Sequence, residues 1–434
     1  ADNYVFTYAP GTNTVGKASA TVTANGASLT YNGANQTASG FSATGLVGGE
    51  LASVLTGVTA SRTAKNAGTY TTTASGTDSN YELTFVDGAM VIGKATVTPT
   101  ISVSNKVYDT TTTASGAVNL TGVFSADAAS ASAVASAYRF NDANVGTAKA
   151  VTATGISLGS GLADNYVLSS TAATGAANIT PAPLTVTANN AAKFVTQADT
   201  AGFAAYSVVG LLGAETQDSA GISAGVTVSR SNAGVNLAAV YSDVLVPSGS
   251  ATIGNYALTY VPGTYTIVPA GQLLVQTSSS TTTYGTAGNN PIASVSYLDA
   301  ASNTINDLVL SSQAVVGGAT VYTYSDGASG TVSFSAAPTG TTSSAGGRVN
   351  VGSYGLAAGN FSKTTSNLLS NTATVTGNLA VQPLAIAVSA TAGTTTYDST
   401  TKTQAYTSGV LSGDAVTVSG TVGQVNAGSY RSAM

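Results

Sequence analysis

Asn80-Tyr81-Glu82-Leu83-Thr84-Phe85 is followed within a few residues by Val91-Ile92-Gly93-Lys94-Ala95-Thr96-Val97. In the first stretch Tyr81, Leu83 and Phe85 fall on alternate positions, the period of a strand with one buried face. The second stretch carries apolar residues directly up to and beyond Lys94, which leaves almost no linker between one strand-rich segment and the next. The same pair of features recurs along the chain, and that recurrence decides the fold class.

Three landmarks return in a fixed order. An alternating strand leads to an aromatic turn: Ala20–Ala24 to Tyr31-Asn32-Gly33, Ile101–Val103 to Tyr108-Asp109-Thr110, Leu184–Ala188 to Lys193-Phe194, and later Tyr284-Gly285-Thr286 and Tyr397-Asp398-Ser399. An Asn-Xaa-Gly turn follows at Asn66/Gly68, Asn144/Gly146, Asn232/Gly234, Asn350/Gly352 and Asn426/Gly428, with Tyr70, Tyr354 and Tyr430 two places after the glycine. Asn bonds its own backbone at turns, and Gly accepts positive φ without a Cβ penalty. The third landmark is an Asn-aromatic strand start at Asn3-Tyr4, Asn80-Tyr81, Asn165-Tyr166, Asn255-Tyr256 and Asn360-Phe361, spaced 77, 85, 90 and 105 residues apart.

A period near 80–90 residues is long enough for each repeat to close its own core. It is too long for a solenoid, whose repeats of about 20–50 residues cannot bury a face alone. The expected organisation is the end of an upstream repeat at 1–16, repeats at 17–93, 94–181, 182–269 and an enlarged one at 270–383, then a truncated repeat at 384–434. Because both ends fall inside the motif, the chain reads as a piece of a longer protein. Proline at Pro181, Pro269 and Pro383 stiffens three of the junctions. Repeats about 30–40 Å long would then build a rod on the order of 150 Å.

Gly45–Leu51, Gly210–Glu215 and Val410–Asp414 look equivalent, each one helical turn or a tight loop. Their glycines make a longer helix costly, so at most a short helix is expected per repeat. The predicted class is therefore mainly β, in tandem β-grasp-like or β-sandwich-like domains. The fourth repeat gains Tyr297, Tyr322, Tyr324, Phe334 and the loop 335–347, either as an extra hairpin or as a recognition loop.

Composition narrows the function. The 434 residues contain no His, Cys or Trp, which removes imidazole and thiol catalysis and the usual zinc sets. The remaining acids sit mainly at turns, as in Asp109, Asp398, Asp2 and Asp164, so neither an enzyme nor a cofactor or metal site is expected; Asn141-Asp142-Ala143-Asn144 lacks an EF-type loop. Charged residues are 7% of the chain with net charge -5, and no basic stripe suits nucleic acid. No apolar run of about 20 residues suits a bilayer. Lys17 and Lys94 occupy matching junction positions; a side-chain amide cross-link there would require a buried Lys–Asn pair beside an acid, and later junctions replace the lysine. Tyr outnumbers Phe, 21 to 9, which suits cores with a wet hydroxyl and also permits stacking on sugars.

Tyr108-Asp109-Thr110-Thr111-Thr112, Asn144-Val145-Gly146, Asn165-Tyr166-Val167-Leu168 and Ile179-Thr180-Pro181 together resemble a YDG repeat, and Tyr31-Asn32-Gly33, Asn66–Tyr70 and Asn80-Tyr81 resemble its MBG relative. Such repeats belong to large bacterial adhesins of the filamentous-haemagglutinin-like kind. The resemblance implies a stalk segment at the cell surface or outside the cell, exported through an outer-membrane partner, with roles in attachment, aggregation or biofilm. The alternatives are a repeat array binding polysaccharide or a host glycoprotein, and self-association with like chains through open strand edges.

Overall fold

The computed structural model describes residues 4–199, 205–365, 368–390, 402–403, 406–416 and 423–424. Tyr397, Asp398, Asn426 and Gly428 lie outside the described residues, as does Asn3. Contacts divide the chain into two compact units. The first comprises Ala1–Ser104, Thr112–Asn141 and Ala148–Ala177; the second comprises Asn105–Thr111, Asp142–Thr147 and Asn178–Met434.

In the first unit, β1 (Ala18–Ala24), β2 (Ala27–Thr30), β3 (Gln36–Ser39), β4 (Phe41–Thr44), β5 (Val58–Ala64), β6 (Gly68–Gly76), β7 (Tyr81–Val86) and β8 (Gly88–Gly93) form two sheets. One is ordered β4-β1-β7 and the other β2-β8-β6-β5-β3. Thr- and Val-rich alternation makes these segments strands, because branched side chains pack well on a pleat and alternate between faces. Ala20, Val22 and Ala24 of β1 meet Val58 and Ala60 of β5 and Ala74 of β6, so the two sheets share a core. That is a sandwich. Among the described residues no helix exceeds the six residues of Ser125–Ser130, so of the two expected folds the sandwich is realised.

One topology recurs. β1 is antiparallel to β4 and parallel to β7. Ala95–Val103 pairs the same way with Gly116–Thr121 and Tyr166–Leu168. In the second unit, Ala182–Ala188 pairs so with Tyr206–Val209 and Tyr256–Val261, and Leu273–Thr277 with Ile292–Leu298 and Ala373–Val375. A second parallel pair closes each repeat: β2 with β8, Lys106–Val107 with the end of Ala172–Thr180, Ala191–Phe194 with Gly263–Val268, and Ser280–Thr283 with Asn378–Gln382.

Four expectations need correction. Asn360-Phe361 does not start the parallel strand of the fourth repeat. It lies inside Gly352–Lys363, and Ala373–Val375 takes the parallel place instead. The extra length is an added hairpin, Val309–Val316 with Ala319–Ser325, which extends one sheet to six strands and shifts the spacing on which that assignment rested. In the third repeat, Val195 rather than Phe194 matches the aromatic-turn position, because its N–H bonds Val268 as that of Tyr31 bonds Gly93. Cores are not wholly separate. Met90 and Ile92 from the end of β8 pack with Ala95, Val97, Leu162 and Tyr166 of the following repeat. Finally, Tyr4, Phe6 and Tyr8 are exposed and outside any strand.

Alternation across the junction gives a direct test. Ile92 is 2% exposed and its neighbour Val91 is 40% exposed. Ile92→Ala is expected to lower stability by about 2–5 kcal/mol, and Val91→Ala by less than about 0.5 kcal/mol, both read from urea unfolding. Equal effects at the two positions would contradict the register.

Candidate functional site at the repeat joints

The short strand β2 ends beside the last residue of its repeat, so Tyr31, donating its N–H to the Gly93 carbonyl at 2.8 Å, stands at the boundary with the following repeat. Its ring is 1% exposed and meets Tyr166 edge-on, with centroids 5.3 Å apart. The two hydroxyls converge: Tyr31 Oη and Tyr166 Oη each donate to Asp127 Oδ2 at 2.7 Å. The Tyr166 hydroxyl also accepts the Phe124 N–H at 3.1 Å. One carboxylate therefore holds a tyrosine from each side of the junction.

The second unit repeats this arrangement with other residues. Tyr108 Oη donates to Glu215 Oε1 at 2.7 Å, and Tyr256 Oη donates to Glu215 Oε2. The rings again meet edge-on, 5.7 Å apart, and Leu212 N–H donates to the Tyr256 hydroxyl at 3.0 Å. Farther along, Tyr284 Oη donates to Asp414 Oδ2 at 2.6 Å. Asp414 also accepts the Gly346 N–H and pairs with Arg348 at 3.3 Å. Tyr81 Oη donates to Glu50 Oε2 at 2.6 Å and accepts the Val47 N–H, the same half of the motif.

A second clamp lies beside the first. Asn165 Oδ1 accepts the Ala67 N–H at 2.8 Å and its Nδ2 donates to Asn66 Oδ1 at 3.2 Å. Asn255 does the same to Val145 N–H at 2.9 Å and Asn144 Oδ1 at 3.2 Å. The Asn-Xaa-Gly turn and the Asn-aromatic start are thus two halves of one contact. Their local role is real but smaller: Tyr70 and Tyr354 hydroxyls bond back to the Asn66 and Asn350 carbonyls at 2.8 Å. Gly33, at φ +78°, serves the joint because a Cβ there would stand 3.0 Å from the Phe124 Cβ. Thr110 takes the matching place at φ +67°, an uncommon conformation for a branched residue. Asp109 steadies that turn by accepting the Thr111 N–H and pairing with Lys106 at 2.6 Å.

The sequence gives the acids of these joints no role of their own, although it carries a signal for them. Glu50, Glu215 and Asp414 all lie within the three segments that look equivalent, Gly45–Leu51, Gly210–Glu215 and Val410–Asp414, and Asp127 lies in the corresponding loop of the second repeat. The third-to-fourth junction differs. Val195 has no hydroxyl, and among the described residues no carboxylate receives a tyrosine there. Phe194, Val268, Leu274 and Leu298 seal it instead, and Asn378 Oδ1 accepts the Asn190 N–H at 2.8 Å. Gln382 bonds the Gly210 N–H and the Val208 carbonyl, so the fourth repeat also packs along a strand edge of the third. Asn232 is taken by Arg230 Nε at 2.8 Å, and Gly234 follows at φ +90°.

Electrostatics follow the geometry. Hydrogen bonds from Tyr166 and Tyr31 hold the Asp127 carboxyl below its ordinary range. Burial, then the bond to Asp127, pushes Tyr31 up to about 12. Burial and the Glu215 contact raise Tyr256 and Tyr108 in the same direction. Asp414 is lowered to about 2, chiefly by Ser344 and Tyr284.

Other sequence candidates take structural places. Lys17 and Lys94 donate to the Asp78 and Ala163 carbonyls at 2.6 and 2.5 Å, which explains their matching positions without a cross-link. Tyr297, Tyr324 and Phe334 are buried in the core of the fourth repeat, with Tyr322 packed against it. A pocket of about 260 Å³ in that repeat is lined by Thr282, Gly285, Arg348, Leu379 and neighbours. Among the described residues no group of three or more Asp or Glu is placed to hold a metal ion, and no helix is long and apolar enough to cross a membrane.

Residues 20–91 match the model of the MBG domain (YGX type), and residues 93–174 match that of the YDG domain. The chain carries an MBG/YDG-type repeat region. No curated protein matches it. Among solved structures, the I9–I11 tandem from titin is matched at 9% identity, over 57% of this chain and 98% of that one, with a TM-score of 0.18. In the MBG–YDG pair, Tyr31 belongs to the MBG domain while Asp127 and Tyr166 belong to the YDG domain.

Breaking that contact is expected to weaken the MBG–YDG joint. Asp127 is half-buried, so Asp127→Ala should cost about 1–3 kcal/mol, and Tyr31→Phe about 0.5–1.5 kcal/mol. A double-mutant cycle between Tyr31→Phe and Asp127→Asn should return a coupling of at least about 0.5 kcal/mol; additive effects would remove the interaction. The pH response follows from the shifts. Asp127 is lowered, so its contribution is present above the unfolded carboxylate value near 4 and lost as pH falls through the folded one. Tyr31 is raised, so its contribution is present below about 10 and lost as pH climbs through about 12. Urea midpoints should be level between about pH 5 and 9 and fall on either side.

Proposed function

We propose that this chain is a load-bearing stalk segment of a bacterial surface or secreted adhesin, with repeats at 17–93, 94–181, 182–269 and 270–383 as its building blocks. The observation that carries the reading is the reuse of one joint: two tyrosines on a carboxylate beside an Asn–Asn clamp, at Tyr31/Asp127/Tyr166 and again at Tyr108/Glu215/Tyr256. A standard coupling between successive modules serves a protein whose task is to transmit position and force. It spends its tyrosines and acids on neighbours, leaving them engaged rather than poised for catalysis. The MBG and YDG matches support a repeat-type extracellular setting. The role is structural and non-catalytic, with localisation outside the cell and export through an outer-membrane partner.

Carbohydrate or glycoprotein binding is the weaker reading, because the repeated Tyr31, Tyr166 and Tyr256 rings are at most 2% exposed and offer no stacking platform. Two measurements test the stalk. Antibodies against this chain should label unpermeabilised cells of the source organism. The purified 434-residue chain should show no specific retention on a glycan array. Specific sugar retention, or labelling only after permeabilisation, would overturn the assignment.

A further inference from the structure

The third repeat buries a lysine at the register position that Leu29 holds in the first repeat, Lys106 in the second and Thr282 in the fourth. Lys193 pairs with Ile267 in the strand register, as Leu29 pairs with Ile92 in the first repeat. Lys193 is only 4% exposed, and Arg230 beside it is 6% exposed. Both cations reach the same oxygen, Asp199 Oδ1, at 2.7 and 2.6 Å. Arg230 is otherwise fully engaged, with Nε on Asn232, Nη2 on the Val235 carbonyl at 2.7 Å, and its guanidinium 4.2 Å from the Tyr265 ring centre. Two buried positive charges thus share one negative charge, which is costly for the cation that has no carboxylate of its own.

The Lys193 Nζ donates to Asn236 Oδ1 at 2.5 Å. The carboxamide carbon is therefore no farther from the amine than about 3.7 Å, given a C=O length of about 1.23 Å, close to the separation of about 3–3.5 Å from which bonds form. The Asn236 Nδ2 is steadied on the Gly234 carbonyl at 3.3 Å. A buried lysine, an asparagine side chain and an acid touching the amine are assembled at one place.

We propose that Lys193 and Asn236 form an intramolecular isopeptide bond with Asp199 as the proton-transfer group. Asp199 takes a proton from the Lys193 ammonium. The freed amine attacks Cγ of Asn236, forming the new C–N bond and a tetrahedral adduct. Asp199 passes its proton to Nδ2, the Cγ–Nδ2 bond breaks as the carbonyl re-forms, and ammonia departs. The further proton on the former lysine nitrogen leaves with it, so ammonium is released and Asp199 ends ionised as it began. Asn236 is exposed, which gives the ammonium a direct exit to water. The product is an uncharged secondary amide, and the Arg230–Asp199 pair is left balanced. The bond staples strand Ala191–Phe194, which pairs with the last strand of the repeat, to the loop before Ala239–Gly249. It lies in the repeat whose downstream junction lacks the tyrosine–carboxylate contact, and it stands independently of the stalk assignment.

Intact mass of the purified 434-residue chain tests this without a variant. The expected mass is below the sequence value by one ammonia, about 17 Da, with a branched peptide joining residues 193 and 236 after digestion. Lys193→Arg and Asp199→Asn chains should show the full sequence mass while retaining a β-type circular dichroism spectrum. A folded wild-type chain at full mass, or a 17 Da loss that maps to a succinimide at Asn236 with Lys193 unmodified, would overturn the proposal.

Discussion

A single carboxylate that accepts a tyrosine hydroxyl from each of two successive repeats is the constraint around which the joints are arranged. Such a contact is strong because the acceptor is charged and both phenols are held against apolar surface. It is also directional. The acid loop, the Asn-aromatic strand and the preceding aromatic turn must each arrive at the right place for both bonds to form. Burying a tyrosine without a partner for its hydroxyl would cost free energy, so wrong registers are penalised as well as the right one favoured.

The topology explains why this geometry can be repeated. In the first three repeats the first strand runs parallel to the Asn-aromatic strand, and in the fourth to Ala373–Val375, while a short second strand runs parallel to the last in all four. In the first repeat these two pairs put the entry at Ala18 beside Tyr81 and the exit at Thr30 beside Gly93. Its aromatic turn at Tyr31 therefore emerges beside Gly93, where the following repeat begins, and its acid Glu50 meets Tyr81 beside the entry. A strand break of a single residue at Lys94 or Pro181 suffices, and apolar alternation continues through it from Ile92 to Ala95 and from Ile179 to Ala182.

The departure at the third-to-fourth junction supports the same logic. The tyrosine and its carboxylate disappear together: Val195 stands at the aromatic position, and an apolar cluster around Phe194 and Leu274 takes over. A hydroxyl without an acceptor or a carboxylate without a donor would each be a liability at a buried surface. The third repeat instead concentrates charge in the Lys193–Asp199–Arg230 group.

By itself the sequence determined the β class, the repeat period and the three landmarks. Period-two alternation reports directly which face of a strand is buried, and turn residues report local backbone needs. The tertiary structure alone decided what the landmarks are for. Asn66 and Asn165 lie 99 residues apart, and Tyr31 and Asp127 lie 96 apart. No local pattern ties such residues together, and an acid in a glycine-rich loop looks the same whether or not it meets a tyrosine. Spacing also misplaced Asn360-Phe361, because an added hairpin lengthens the fourth repeat without altering the dipeptide that imitates a strand start. Alternation is a property of neighbours along the chain, whereas a joint is a property of residues that only folding brings within 3 Å of each other.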